Sequence, residues 1–130
     1  MGCSNLTSVI LPKSLTSLGQ HAFEETSLKS LYLPENTHTL FIRALCYMRN
    51  LEKITFPKNL KTIYANNLLN SKVSIINLLK TNLETLADSA FSGMNYLTTV
   101  LLPNTLVTIE EGAFSDDYNL TKINYEGTID

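Results

Sequence analysis

Apolar residues recur along this chain at a fixed long step, not at a helical or simple alternating period. Leu6/Val9/Leu11 returns as Leu28/Leu31/Leu33, Leu51/Ile54/Phe56, Leu97/Val100/Leu102 and Leu120/Ile123/Tyr125. Pro12, Pro34, Pro57 and Pro103 follow four of these triplets at steps of 22, 23 and 46 residues, and 46 is twice 23. The missing proline falls at Lys80. Eleven residues beyond these five positions lie Phe23, Leu45, Leu68, Phe91 and Phe114, preceded by Ala22, Ala44, Asn67, Ala90 and Ala113. Between them, Leu18, Leu40, Ile63, Leu86 and Ile109 form one further column. Columns that stay in step over the whole chain identify a repeat protein.

The pattern inside each unit predicts its elements. The alternating end of Leu-x-x-Leu-x-Leu predicts a short strand with one face inward. Proline cannot donate to a ladder, so it closes that strand and turns the chain. A second short, partly apolar segment follows, such as Leu15-Thr16-Ser17-Leu18, and Ala-Phe then sends a ring inward. A loop of five or six residues returns the chain to the next Leu. No window holds ten or more residues of helical period, so any helix is limited to a single turn. The expectation is one domain over residues 1–130, with about five and a half stacked coils sharing a core. The units are 6–27, 28–50, 51–73, 74–96, 97–119 and a partial 120–130. In the unit from Leu97, the predicted core is Leu97, Val100, Leu102, Leu106, Ile109 and Phe114, with Pro103 and Gly112 in turns.

One unit departs from the register. By count, Ser74, Asn77 and Leu79 should fill the first apolar columns, yet Val73, Ile76 and Leu78 lie one place earlier. A one-residue slip exchanges the two faces of a strand. The slip predicts a bulge or shortened loop near Asn70-Ser71-Lys72, corrected by Lys80.

Composition adds limits. With 44% apolar and 17% charged residues the chain belongs with folded proteins, not disordered ones. No apolar run approaches the roughly 20 residues that span a bilayer. Met1-Gly2-Cys3-Ser4-Asn5 has no basic region or long apolar segment of a signal peptide. The net charge of −2 hides an asymmetry. Arg43, Arg49, Lys53, Lys58, Lys61, Lys72 and Lys80 face only Glu52 in the middle of the chain, whereas Glu110, Glu111, Asp116, Asp117, Glu126 and Asp130 face only Lys122 near its end. Such a block can steer an anionic partner, or it can be ordinary surface variation.

Candidate chemistry is sparse. His21 shares a column with Arg43, Asn66, Ser89 and Gly112, and His38 with Thr16, Lys61, Glu84 and Val107. Mixed occupancy of this kind predicts solvent-facing positions, and neither histidine has a metal-ligand partner at suitable spacing. Asp88-Ser89 has no histidine in fixed relation to it, which makes a nucleophile reading poor. Catalytic residues, metal and cofactor are therefore all expected to be none. Cys3 and Cys46 fall in different columns two coils apart, roughly 10 Å along the axis. A disulfide needs Cα atoms within about 7 Å, so both thiols are expected free. Asn5-Leu6-Thr7 and Asn119-Leu120-Thr121 match a glycosylation sequon, but each asparagine precedes the repeat's own Leu and reads as a turn residue.

The string Leu-x-x-Ile/Val-x-Leu-Pro-x-x-Leu-x-x-Ile/Leu-x-x-x-Ala-Phe at a 23-residue step resembles the BspA-like leucine-rich repeat family. Departures are Lys80 for proline, Thr37 in the column of Leu15, Leu60, Leu83 and Leu106, and Leu45 and Leu68 for phenylalanine. The cysteine often seen before the first Leu occurs only as Cys3, where other units have Glu25, Met48, Met94 and Asp117. The resemblance implies a leucine-rich-repeat solenoid, a right-handed α/β-type superhelix that is β-rich with only short helical turns. It also implies a cell-surface or secreted protein of host-associated bacteria or parasitic protists, with adhesion to host cells or extracellular matrix and no catalytic constellation.

In such a solenoid the Leu-x-x-Leu-x-Leu strands line a concave sheet, with the x positions pointing outward. Those columns read Ser8/Ser30/Lys53/Thr99/Lys122 and Ile10/Tyr32/Thr55/Leu101/Asn124. Ile10, Tyr32 and Leu101 are apolar where water is expected, which suits a partner surface. The bland alternative is that β-branched and aromatic residues simply suit an exposed sheet. The expected partner is a host matrix or cell-surface protein, with an anionic glycan as an alternative, and nucleic acid is not among the expected partners. An intracellular protein–protein scaffold is the other reading of function. Starting at Cys3 and stopping at Asp130 without a polar capping unit, the chain reads as a fragment of a longer protein or one capable of end-to-end self-association.

Overall fold

The structure, a computed structural model, describes residues 3–126. Met1-Gly2 and the end of the sixth unit beyond Glu126 lie outside the described residues. The chain winds as a solenoid of parallel strands: β1 (Ser17–Leu18), β2 (Ser30–Tyr32), β3 (Thr39–Leu40), β4 (Lys53–Thr55), β5 (Thr62–Ile63), β6 (Ile75–Asn77), β7 (Thr85–Leu86), β8 (Thr99–Leu102), β9 (Thr108–Ile109) and β10 (Lys122–Tyr125). Among the described residues there is no helix, so the expected single helical turns are tight turns instead.

The odd-numbered strands form one unbroken five-stranded sheet in the order β1-β3-β5-β7-β9. It steps by 22 residues from Leu18 to Leu40 and by 23 at each later pair, as the Leu/Ile column requires. The longer strands form two separate sheets, β2-β4 and β6-β8-β10. Each begins just after an inward Leu or Val, and β2, β4 and β8 stop at a turn that opens with proline. Leu15, Thr37, Leu60 and Leu106 close these turns by donating to the carbonyls of Pro12, Pro34, Pro57 and Pro103 at 3.0–3.4 Å. In the fourth coil, which lacks proline, Thr81 does this work. Its N–H and its hydroxyl both donate to Leu78 O, at 3.1 and 2.8 Å, and its hydroxyl oxygen accepts from Leu83 N.

The core is continuous along the axis. Leu28, Leu31, Leu33, Leu40, Leu45, Leu51, Leu60, Ile63, Leu68, Ile76, Leu78, Leu86, Phe91, Leu97 and Val100 are all buried. Phe91 meets Phe56 edge-on at 6.3 Å and stacks on Phe114 at 6.2 Å. Val73, Ile76 and Leu78 are buried in place of the counted Ser74, Asn77 and Leu79, and Ile76 pairs with Val100. The core expectation fails toward the end of the solenoid, where Ile123 and Tyr125, in inward columns, are exposed. Ile109 is 49% exposed, because β9 is the last strand of its sheet and has a neighbour on one side only. Phe114 is half-buried for the same reason.

The turns after the short strands hold a feature that residue identity conceals. His21, Arg43, Asn66, Ser89 and Gly112 all have φ between 57° and 74°, and Glu25, Tyr47, Asn70, Gly93 and Asp116, four residues later, lie between 55° and 67°. The first column was expected to face solvent because its residue types vary. Only His21 is exposed, and the shared property is a left-handed backbone, which ordinary residues adopt rarely. The conformation turns main-chain donors toward the next coil: His21 N, Phe23 N and Glu25 N donate to Ile42 O, Ala44 O and Cys46 O. Asn67 and Thr37, which departed from the repeat, are buried and bonded. Asn67 accepts from Leu45 N and donates to Phe41 O and Tyr64 O, and the Thr37 hydroxyl donates to Leu15 O.

Candidate functional site

The long-strand sheets place one face inward and one outward by simple alternation. On β2 the pattern is exposed-buried-exposed for Ser30, Leu31 and Tyr32, and on β6 it is the same for Ile75, Ile76 and Asn77. Of the ten residues expected on this surface, Ser8, Ile10, Ser30, Tyr32, Lys53, Thr55, Lys122 and Asn124 are exposed, while Thr99 and Leu101 are half-buried. Tyr32 is 70% exposed and Ile10 98%.

Register decides which of these residues act together. Ser30 pairs with Lys53 and Tyr32 with Thr55. Thr99 pairs with Lys122 and Leu101 with Asn124. The two groups do not join, because no ladder connects β4 to β6. Ser8 and Ile10 lie outside any strand. The surface is therefore three patches and not one sheet.

Both interruptions have one cause. The step from the aromatic column to the next Leu column is five residues at Phe23–Leu28 and Leu68–Val73, but six at Leu45–Leu51, Phe91–Leu97 and Phe114–Leu120. After a six-residue step the ladder enters the strand: Glu52 N donates to Lys29 O, Thr98 N to Ser74 O and Thr121 N to Thr98 O. After a five-residue step the last bond falls earlier, from Ser27 N to Leu6 O and from Lys72 N to Leu51 O, and pairing stops there. Downstream, Leu33 N and Leu78 N donate to Thr55 O and Leu101 O, while their counterparts Leu11 N and Phe56 N have no backbone partner among the described residues. Two clefts open where the strands part. One, of about 540 Å³, lies among Val9, Ile10, Leu11, Lys13, Tyr32 and the turn from Pro34. The other, of about 240 Å³, is lined by Ile54, Thr55, Phe56, Asn77, Lys80 and Thr81.

Sequence reasoning missed Ile75 and Asn77 as outward residues, although the slip of Val73, Ile76 and Leu78 contained the signal. Ile75 is 57% exposed beside Thr99. It also missed a group on the turn side. Phe41 and Tyr64 stack in parallel at 5.6 Å, and their spacing of 23 residues was legible. The Arg43 and Arg49 guanidiniums each lie 5.4 Å from the Tyr47 ring centroid, and Arg43 pairs with Glu24 at 2.6 Å. Burial works to raise the Glu24 carboxyl, but its hydrogen bonds and the charge of Arg43 outweigh this and hold it below the ordinary carboxylate range. Both cysteines are unpaired, Cys3 exposed and Cys46 buried. Among the described residues no cluster of His, Cys, Asp or Glu could hold a metal ion, and no helix is long and apolar enough to cross a membrane.

Parallel coils, an inward leucine face and an outward variable face define a leucine-rich-repeat solenoid. The chain belongs to the BspA type leucine rich repeat family: the family model matches in six copies, over residues 1–82 and 72–130. A search of curated proteins gives no match. Among solved structures, a leucine-rich repeat protein from Bacteroides ovatus is similar at 18% identity and a TM-score of 0.39, over 92% of this chain. The chain spans 44% of that protein's length.

Proposed function

We propose that the chain is a non-catalytic protein-recognition module that binds a partner through the outward face of its long-strand sheets, as part of a cell-surface adhesin-type protein. The observation that carries this reading is the exposure of Tyr32 and Ile75 on that face, with Ile10 exposed in the coil before β2. A large apolar side chain held out of a sheet gains by covering, and aromatic residues lead among binding hot spots. Membership of the family supports an interaction role, because stacked repeats present extended surfaces whose outward positions vary without harm to the core. The surface location and a host protein as partner rest on the kinds of protein the repeat resembles.

The test compares binding of the intact chain and a Tyr32→Asp/Ile75→Asp variant to immobilised matrix proteins such as collagen and fibronectin. Both positions are exposed, so the variant retains its fold, and circular dichroism checks this. Loss of binding in the variant alone supports the sheet face. Equal binding by both sends the partner elsewhere on the molecule.

A further inference from the structure

We propose that the cleft between β4 and β6 is a subsite for a carboxylate, taking an Asp or Glu side chain of an acidic segment in a protein partner. This deepens the recognition reading and rests on it.

The opening is built into the chain and is not a gap in packing. The five-residue step at Leu68–Val73 ends the β4 ladder at Leu51, and an added residue between Leu78 and Leu83 restores the 23-residue count. The short-strand sheet therefore stays closed behind the cleft, with Thr62 on Thr85 and Ile63 on Leu86. What parts is only the face that the partner would meet.

The lining supplies donors and no carboxylate. Asn77 Oδ1 already accepts from Leu79 N at 3.1 Å, which leaves its amide N–H groups as the available polar atoms. The Thr81 hydroxyl is spent on Leu78 O and Leu83 N. Phe56 N–H lacks the partner that Leu33 and Leu78 have. Lys80 is exposed at the rim and forms no ion pair among the described residues. An ammonium, an amide and a free main-chain N–H match an ionised carboxylate, whose oxygens only accept. The volume of about 240 Å³ admits one side chain and not a folded element. Arg43 and Lys61 pair with Glu24 and Glu84, but Arg49, Lys53, Lys58, Lys72 and Lys80 remain against Glu52 alone, which favours an acidic segment around that side chain. Ile75, exposed beside the opening, offers the apolar contact.

The experiment titrates the intact, ¹⁵N-labelled chain with the blocked peptide Ac-Gly-Glu-Gly-Glu-Gly-NH2 and with its Gln counterpart. The expected result is a shift of the Phe56 amide and the Asn77 side-chain amide by the Glu peptide. The Gln peptide should bind about tenfold more weakly, the effect of one charge-assisted hydrogen bond. Lys80→Gln should weaken the Glu peptide to a similar extent, and Lys58→Gln should leave it unchanged. No shift at Phe56 and Asn77, equal response to both peptides, or equal losses from the two lysine variants overturns the subsite. If the subsite fails while Tyr32→Asp/Ile75→Asp still abolishes partner binding, the sheet-face reading stands alone. If that variant also binds normally, both fall.

Discussion

Asp117 reaches back across one coil and accepts the main-chain N–H of Met94 at 2.7 Å. The carboxylate is nearly buried, and its second oxygen has no partner among the described residues. Burial is the main cause that pushes its carboxyl from an ordinary 3.8 up to about 7. Neighbouring Asp116 adds to this, and the Met94 N–H opposes it. A group whose folded-state pKa is raised binds more protons folded than unfolded, so stability falls as pH rises between the two values. The urea midpoint should therefore decline between about pH 4 and about pH 7. Asp117→Asn, which keeps an acceptor for Met94 N, should flatten that decline. An unchanged slope would show that other groups govern it.

Phe91 is fully buried and contacts both the Phe56 and the Phe114 rings. Phe91→Ala should cost about 3–5 kcal/mol, from lost transfer energy and the cavity left behind. Phe23→Ala, in the half-buried first coil, should cost less. Denaturant unfolding of the two variants gives the comparison.

Asn67 offers a test that opposes the repeat pattern. Four of the five units have alanine in this column, so Asn67→Ala looks like a repair. The structure argues the reverse, because the side chain bonds Leu45 N, Phe41 O and Tyr64 O. Removing it leaves a buried N–H without a partner, a loss of about 1–3 kcal/mol. A higher unfolding midpoint for Asn67→Ala would refute this account.

The left-handed columns predict opposite effects of glycine at two equivalent sites. Glu25, at φ 62°, is exposed, and Glu25→Gly should relieve about 1 kcal/mol of strain. Gly93 has φ +67°, and a Cβ there would lie 2.3 Å from Leu69 Cδ1. Gly93→Ala should lower the thermal midpoint and Glu25→Gly should raise it.

How much of this the sequence disclosed depends on what each residue repeats. The Leu, Val and Ile columns repeat a side chain, and their burial was readable in the inner coils, even through the slip at Val73. The left-handed turns repeat a backbone angle through His21, Arg43, Asn66, Ser89 and Gly112, so no residue type gave them away. Ile109 was misjudged because its column says core, while its exposure depends on a neighbouring coil. Alternation picked eight residues that are exposed, but Thr99 and Leu101 are half-buried and Ile75 and Asn77 were missed. The division of the outward residues into patches depended on loop length: the short step at Phe23–Leu28 was visible only as an odd 22, and the slip at Val73 signalled a bulge or shortened loop but not the parting of the strands.

The unbroken β1-β3-β5-β7-β9 ladder behind a divided front gives the solenoid a tolerance for errors of length. A residue lost before Val73 is returned before Leu83, so the miscount is confined to half a turn and no later coil inherits it. The short-strand sheet acts as the counting edge, and the long-strand side is free to vary. A chain built this way can change the length of a loop within one coil while the other coils stay in phase.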